Sequence, residues 1–458
     1  MSFLKYTLAT IFGLFLFFVL VISFFLFLGA AASGPEKVSI SDNSMLQLNF
    51  DIPIQEREEE NPFEDLDLEF MSSEYQMGLK EIKECIRKAA ADDKIKGIYL
   101  NLNGFNGGFA TADEIRKELF EFKKSEKPII AYSEYYSEGA YQIASISDKV
   151  LLHPMGILEF NGFNMEMLFF KGLMDKLDIE PVVIKVGEYK SFAEPFIRKE
   201  MSEANREQMN YLVNDLYDSY VSNISKDRGI SKEQLRTIAN DHKIRLAKHA
   251  LEFGLVDNLS EWDEAVKIIK EEIGLDEKAK INLVGYNKYK KINLEDDNNS
   301  LNKIAILLAE GEIRMGESED GILGAGTFVR EIKDLREDER VKAIVIRVNS
   351  PGGSAVASEL MEREIELTRE IKPVIASMSD MAASGGYWIS MVCDKIIAQE
   401  STITGSIGVI GLLFNIQEFL NNKLGISVDK VKTGKFSDIA NGTHQMSEEE
   451  RDIIQESV

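Results

Sequence analysis

The feature that most constrains this chain is that it repeats itself. "KIKGIYLNLNGFNGGFA" (94–110) lines up with "RVKAIVIRVNSPGGSAV" (340–356), and "IIAYSEYYSEGAYQIASISDKV" with "VIASMSDMAASGGYWISMVCDKI". Further on "PVVIKVGEYKS" matches "SVDKVKTGKFS", and the offset stays at 245 to 247 residues throughout. Chance does not hold a register that long, so the chain is a tandem duplication with a domain-sized period, not a short solenoid repeat. Within each copy the order reads strand, helix, strand, helix, strand. Apolar spacing (Leu79, Ile82, Ile86) marks helices, and runs such as Ile344–Val348 and Val374–Ala376 mark strands. Such alternation needs crossover connections, hence an α/β fold with parallel strands covered by helices.

The repeat sets the expected organisation. Residues 1–37 form a leading segment, 38–286 the first unit, 287–302 a polar, turn-rich linker ("NKYKKINLEDDNNSLN") and 303–458 the second unit. The acidic stretch "EREEENPFEDLDLE" (56–69) reads as an exposed loop in the first unit. After Met201-Ser202 the first unit runs on through a long helical segment to about Gly274. After the matching Met446-Ser447 only a short helical start remains, so the second unit is expected to be short by about sixty residues.

Composition narrows the function. With 53 Lys and Arg against 77 Asp and Glu, the net charge of −24 argues against a nucleic-acid partner, whose phosphates need basic residues. An apolar content of 44% with 28% charged residues is that of a globular protein. Cys85 and Cys393 sit in apolar, helix-like contexts on different halves and read as buried free thiols. His153, His242, His249 and His444 are scattered without metal-ligand spacing, and no phosphate loop is present. From Tyr6 to Pro35 there is no charge, and "YTLATIFGLFLFFVLVISFFLFLGA" is long enough as a helix to span a hydrocarbon core of about 30 Å. Ala30-Ala31-Ala32 resembles a signal cleavage site, but the apolar run exceeds the usual h-region of about 7–15 residues, so an uncleaved anchor is expected. Lys5 and the terminal amine before the span put the N-terminus inside and the main mass outside the cytoplasm.

The two copies are not equivalent. Ser384, followed by Gly385-Gly386, aligns with Glu138, and "NSPGGS" (349–354) aligns with "NGFNGG" (103–108). Conversely Lys190 of "GEYKSFAEPF" aligns with Ser437. A hydroxyl kept in one half and an amine in the other is what division of labour after duplication looks like. No histidine lies near Ser384 in sequence, so its proton needs another acceptor. A lysine serves if it is neutral, and burial lowers its pKa from about 10.4 because desolvation penalises the ammonium. Tyr189, Phe192, Pro195 and Phe196 supply an apolar setting for Lys190. A strand (Val374–Met378), a short turn and a helix from about Gly385 would set Ser384 at a positive helix end, with N–H groups of Gly352 and Gly353 nearby to hold an oxyanion. A surface lysine in a turn and a plain glycine turn are the bland readings of the same residues.

Together "NSPGGSAVAS", "SDMAASGGYWIS" and "VGEYKSFAEPF" resemble the long, duplicated form of the signal peptide peptidase A (protease IV) family over nearly everything from Val38 onward. That resemblance implies two tandem Clp protease/crotonase-like domains after an N-terminal transmembrane helix. It implies a Ser/Lys dyad of Ser384 and Lys190, with Ser406 of "STITGSIGV" holding the lysine amine and Gly385 and Gly353 in the oxyanion hole. It also implies peptide substrates (remnant signal peptides), a homotetramer, lipid contact through the helix, and a bacterial inner membrane location facing the periplasm. No metal or organic cofactor is implied. Two other readings stand beside it: a crotonase-like acyl-CoA enzyme using Glu138, and a catalytically inactive membrane scaffold.

Overall fold

The structure, a computed structural model, describes residues 2–32, 40–58, 76–292 and 300–458. The first half contributes strands β1 (Ser44–Phe50), β2 (Ile95–Phe105), β3 (Ile129–Tyr136), β4 (Lys149–Leu158), β5 (Glu180–Val186), β6 (Asn258–Leu259) and β7 (Asn282–Gly285). The second half contributes β8 (Lys303–Glu310), β9 (Glu312–Arg314), β10 (Val341–Ser350), β11 (Val374–Ala383), β12 (Lys395–Ile397), β13 (Ile403–Gly405) and β14 (Val409–Asn415). The principal helices are α1 (Ser2–Ala32), α2 (Phe109–Phe122), α3 (Glu138–Ala144), α4 (Glu203–Arg228), α5 (Trp262–Glu272), α6 (Ala355–Arg369) and α7 (Gly385–Met391).

Both expected parallel sheets form. The first runs β6-β4-β3-β2-β1-β7 and the second β8-β10-β11-β12, with β13 pairing the end of β11. Equivalent strands pair in equivalent register: Ile98 faces Ile129 across β2–β3, and Ile344 faces Val374 across β10–β11. The β-branched runs become strands because they fit a pleated surface with at least one face packed into a core. One core gathers Leu46, Leu100, Ile115, Leu119 and Tyr136, all fully buried; the other gathers Ile344, Ile346, Val348, Met361 and Ile365. Each such side chain contributes about 2 kcal/mol of hydrophobic stabilisation. Tyr289, near the start of the stretch read as linker, is buried in the first core together with Tyr286 just before it; residues 293–299 lie outside the described ones. The opposite face of the first sheet (Met45, Tyr99, Tyr132) lies under Ala265 and Ile269 of α5, with Trp262 against Tyr99 and Tyr132. On the matching face of the second sheet Ile304 and Ile306 are exposed.

Two local expectations change. β11 does not stop at Met378 with a turn to follow; it runs to Ala383 and leads straight into Ser384. Residues 59–69 of the acidic stretch lie outside the described ones, but Glu56, its first residue, is buried rather than exposed. Arg347 of β10 is the reason. Its guanidinium lies 2.7 Å from Glu56 and 2.7 Å from Glu114, two carboxylates of the first half, and also donates to Ser379 Oγ. A buried charge needs partners, and here they come from the other copy. Cys85 and Cys393 are free and buried as read, and burial pushes each thiol up to about 12.

α1 is a 31-residue helix. Among the described residues no helix is long and apolar enough to cross a membrane; along α1 the side chains are described without a break from Lys5 to Val21 only.

Arg347→Met leaves Glu56 buried without its cation and Glu114 with Lys83 alone, and should cost about 3–5 kcal/mol of stability, read as a lower denaturation midpoint; an unchanged midpoint would refute the inter-copy ion pair. Beside this cluster burial and the Glu56 carboxylate raise Glu310 to about 7. A carboxyl raised in the folded state lends stability that is whole below its ordinary range near 4.5 and is lost as pH rises through about 7. Glu310→Gln should flatten the melting temperature between pH 4.5 and 7.5, and an undiminished slope would exclude Glu310 as its source.

Candidate active site

Lys190 reaches the second half because one strand from each copy pairs. β5 and β14 form an antiparallel ladder from Val186–Val409 to Glu180–Asn415. The ladder's end therefore sets the loop leaving β5, Gly187 to Lys190, against the loop entering β14, Ser406 to Gly408. Behind Lys190, Glu194 ties its loop to the start of α4 by accepting from the Ser202 N–H (3.0 Å) and from Asn205 Nδ2 (3.0 Å).

At the end of this arrangement Lys190 Nζ lies 2.6 Å from the Ser406 carbonyl oxygen, 3.0 Å from Ser406 Oγ and 3.0 Å from Ser384 Oγ. Nζ is placed to donate an N–H to each of these three oxygens; a neutral amine would keep two N–H donors for the Ser406 oxygens and turn its lone pair to the Ser384 hydroxyl. Lys190 is 8% exposed, and burial alone drives its pKa below the ordinary lysine value. Among the described residues no carboxylate offsets that shift. The burial comes from a different source than the sequence suggested. Tyr189 and Phe192 are 49% and 70% exposed. The Lys190 stem lies instead beside Gly187 and Gly408, where Cβ atoms would stand 3.8 and 3.5 Å from its own.

Ser384 occupies the sharp corner between β11 and α7. Its φ of 54° and ψ of −116° are costly for a side-chain-bearing residue, and such strain concentrates at functional sites. Two hydrogen bonds hold the corner: the Ser384 N–H donates to Gly405 O (2.8 Å), and the Trp388 N–H donates to Ser384 O (2.8 Å). The neighbouring Pro-Gly-Gly loop presses in. A Cβ on Gly352 would fall 2.5 Å from the Gly385 nitrogen and 2.7 Å from Ser384 Cβ, so only glycine admits this approach. Gly353, at φ 155°, bridges Ile313: the Ile313 N–H donates to Gly352 O and the Ser354 N–H to Ile313 O. That bridge leaves the Gly353 N–H outside the ladder, on the loop that faces Gly385. The Pro-Gly-Gly loop and the start of α7 thus pack directly against each other at the corner that carries Ser384.

The other candidates fall elsewhere. The Glu138 carboxylate accepts from the Asn161 N–H (2.9 Å) and the Gly162 N–H (2.8 Å), which occupies it in fastening a loop. Asp438, His444 and Glu450 bring ligand atoms within 4.8 Å of one another, a grouping that residue spacing did not signal. Lys430 and Lys432 both pair with Asp438, so its charge is already met by two cations. Gly187 and Gly408 were missed as site residues; the only signal for them lies in the pairing of β5 with β14, which joins positions more than two hundred residues apart.

A serine hydroxyl 3.0 Å from a buried lysine amine, at a strained strand-to-helix corner, suits the class of serine peptidases. The Peptidase family S49 model matches residues 121–276 and 366–458, and the chain belongs to that family. It is 35% identical to "Protease 4" of Haemophilus influenzae over 92% of this chain and 70% of that one. It is 38% identical to "Protease 4" of Salmonella typhi over 83% of this chain and 62% of that one. "Serine protease SPPA, chloroplastic" of Arabidopsis thaliana is 33% identical over 83% of this chain and 57% of its own. The resemblance to the protease IV family is borne out, and the chain spans only part of each relative's length.

Titration of Lys190 by NMR, after reductive methylation of the lysines, should place its midpoint below the ordinary value near 10.4. A midpoint at that value would mean the amine is not desolvated.

Proposed function

We propose that this chain hydrolyses peptide bonds through Ser384, with Lys190 as the general base. The single observation that carries this reading is the 3.0 Å separation of Lys190 Nζ and Ser384 Oγ. Neutral Lys190 takes the Ser384 proton as Oγ attacks the substrate carbonyl, while Ser406 holds the amine in line. The N–H groups of Gly385 and Gly353 receive the oxyanion, and each such donor is worth about 3–4 kcal/mol of barrier. The Lys190 ammonium then protonates the leaving amine, an acyl-enzyme forms, and water activated by the same amine releases it.

Substrate and location follow from the surroundings. Ile407, next to Ser406, is 74% exposed, and Val356, on the helix after the Pro-Gly-Gly loop, is 60% exposed. Apolar side chains open to solvent around a peptidase site suit an apolar peptide, and the residues of a cleaved signal peptide fit that description. Phe12, Phe15 and Leu20 of α1 are 65, 64 and 60% exposed, an expense in water that a bilayer removes. We therefore read α1 as a membrane anchor, with residues 38–286 and 303–458 as two units of the Clp protease/crotonase type on the extracytoplasmic side, assembled as a homotetramer. An acyl-CoA activity through Glu138 is disfavoured, because that carboxylate is already tied to two backbone N–H groups.

A fluorophosphonate probe should label the protein, and Ser384→Ala should abolish both labelling and peptide turnover. Lys190→Ala should abolish turnover while leaving the melting temperature within a few degrees. Because the base must be neutral, kcat/KM should rise with pH through a midpoint below about 10.4. Labelling that survives Ser384→Ala, full turnover in Lys190→Ala, or a flat profile from pH 5 to 9 would each remove the dyad. Failure of the wild-type protein to label would leave the scaffold reading.

A further inference from the structure

Strand β11 carries Ser384 at its end but does not follow its neighbour all the way. Up to Met378 it pairs residue for residue with β10, Val348 opposite Met378; the next pair is Ser350 opposite Ala382. Two steps on β10 thus answer four on β11, so Ser379, Asp380 and Met381 form a bulge just ahead of the nucleophile. Bulges re-aim the chain that follows them, and they need something to hold their shape. Beyond this one, β13 takes over the pairing: Met381 faces Ile403 and Ala383 faces Gly405.

What holds the bulge comes from the other copy. Asp380 Oδ1 accepts from the Thr111 N–H (2.9 Å) and Oδ2 from Thr111 Oγ1 (2.5 Å), at the first turn of α2. Helix α2 begins at Gly108, which offers no side-chain cap. The residue that aligns with Gly108 in the second copy is Ser354, which caps α6 itself by accepting from the Ala357 N–H. The first copy has therefore given up its own cap, and Asp380 fills the place. A Cβ on Gly108 would stand 2.2 Å from the Asp380 carboxylate, so the glycine keeps that place open. The same helix turn also takes the loop before β13, since Ser401 Oγ donates to Asp113 Oδ2 (2.5 Å).

We propose that Asp380 is a positioning residue for the peptidase reaction. By capping α2 of the first copy, it pins the bulge that sets Ser384 Oγ against the Lys190 amine. This rests on the Ser384–Lys190 reading. Beside the β5–β14 ladder and the Ser401–Asp113 contact, the interaction serves as a gauge between the two halves at the active site.

The test separates gauge from cap. Asp380→Ala should lower kcat on a peptide substrate by about 100-fold, the typical cost of a misplacement near 1 Å, with KM within about twofold. Asp380→Asn keeps an acceptor for Thr111 and should retain most of the rate. The decisive variant is Asp380→Ala with Gly108→Ser, which returns to α2 a cap like that of Ser354. It should recover the melting temperature but not kcat. Recovery of both would make Asp380 a helix cap and nothing more, and kcat within twofold of wild type in Asp380→Ala would overturn the proposal. Should Asp380→Ala not fold, Thr111→Val, which removes one of the two contacts at constant shape, decides: a drop in kcat at unchanged melting temperature supports the gauge, and an unchanged kcat overturns it. Fluorophosphonate labelling keeps the two readings apart, since Asp380 variants should label slowly, whereas Ser384→Ala does not label at all.

Discussion

The interaction on which the rest depends is the antiparallel pairing of β5 with β14. Among the described residues every other strand ladder is parallel and internal to one copy. This one ladder crosses between them, and the loops at its end hold Lys190 and Ser406. A lysine on a long flexible stem is a poor base because it has many rotamers to lose and a high pKa. Fixing it between two glycines and two oxygens of Ser406 answers both difficulties at once, since the stem is immobilised and the amine is desolvated. The pairing thus acts on position and on protonation through the same contacts.

The strain at Ser384 belongs to the same design. A left-handed corner with a side chain costs of order 1–3 kcal/mol and persists only when its surroundings dictate it. Here the Gly405 carbonyl takes the corner's N–H and Gly352 packs against its Cβ. In the first copy the equivalent corner, at Glu138, is an ordinary helix start: Ser137 caps α3 by accepting from the Ala140 N–H. A corner with no nucleophile to present has no use for strain, and the first copy has relaxed.

Much of this was legible in the chain. The repeat exposed both sheets, and the inequivalence of the copies singled out Ser384 and Lys190 as the unmatched pair. Those readings rest on local pattern and on comparing the chain with itself. What escaped were contacts between distant segments. Tyr189 and Phe192, the aromatic residues nearest Lys190 in sequence, turned out to face solvent, because a loop side chain is buried by whatever it lands against and not by its neighbours along the chain. Glu56 looked like the edge of a solvated acidic run; no local rule announces that Arg347, nearly three hundred residues on, awaits it. The length of β11 was misjudged for a related reason. Ala382-Ala383 has little strand preference of its own, and it is extended because β13 is there to pair with it.

The contacts between the copies share a direction. Arg347 with Glu56 and Glu114, Asp380 with Thr111, and Lys190 with Ser406 and Ser384 each take one partner from either copy. A duplicated chain starts with two complete units, each able to satisfy its own polar groups. Once one copy loses a cap, a counter-charge or a base, the chain stays whole only if the other supplies it across the junction. Each exchange then ties the copies more firmly, since neither can fold away without leaving a buried group unpaired, at a cost of about 1–3 kcal/mol for a neutral group and more for a charge. A site built at such a junction inherits a rigid frame without needing one of its own, which is how Lys190 and Ser384, 194 positions apart, come to be held at 3.0 Å.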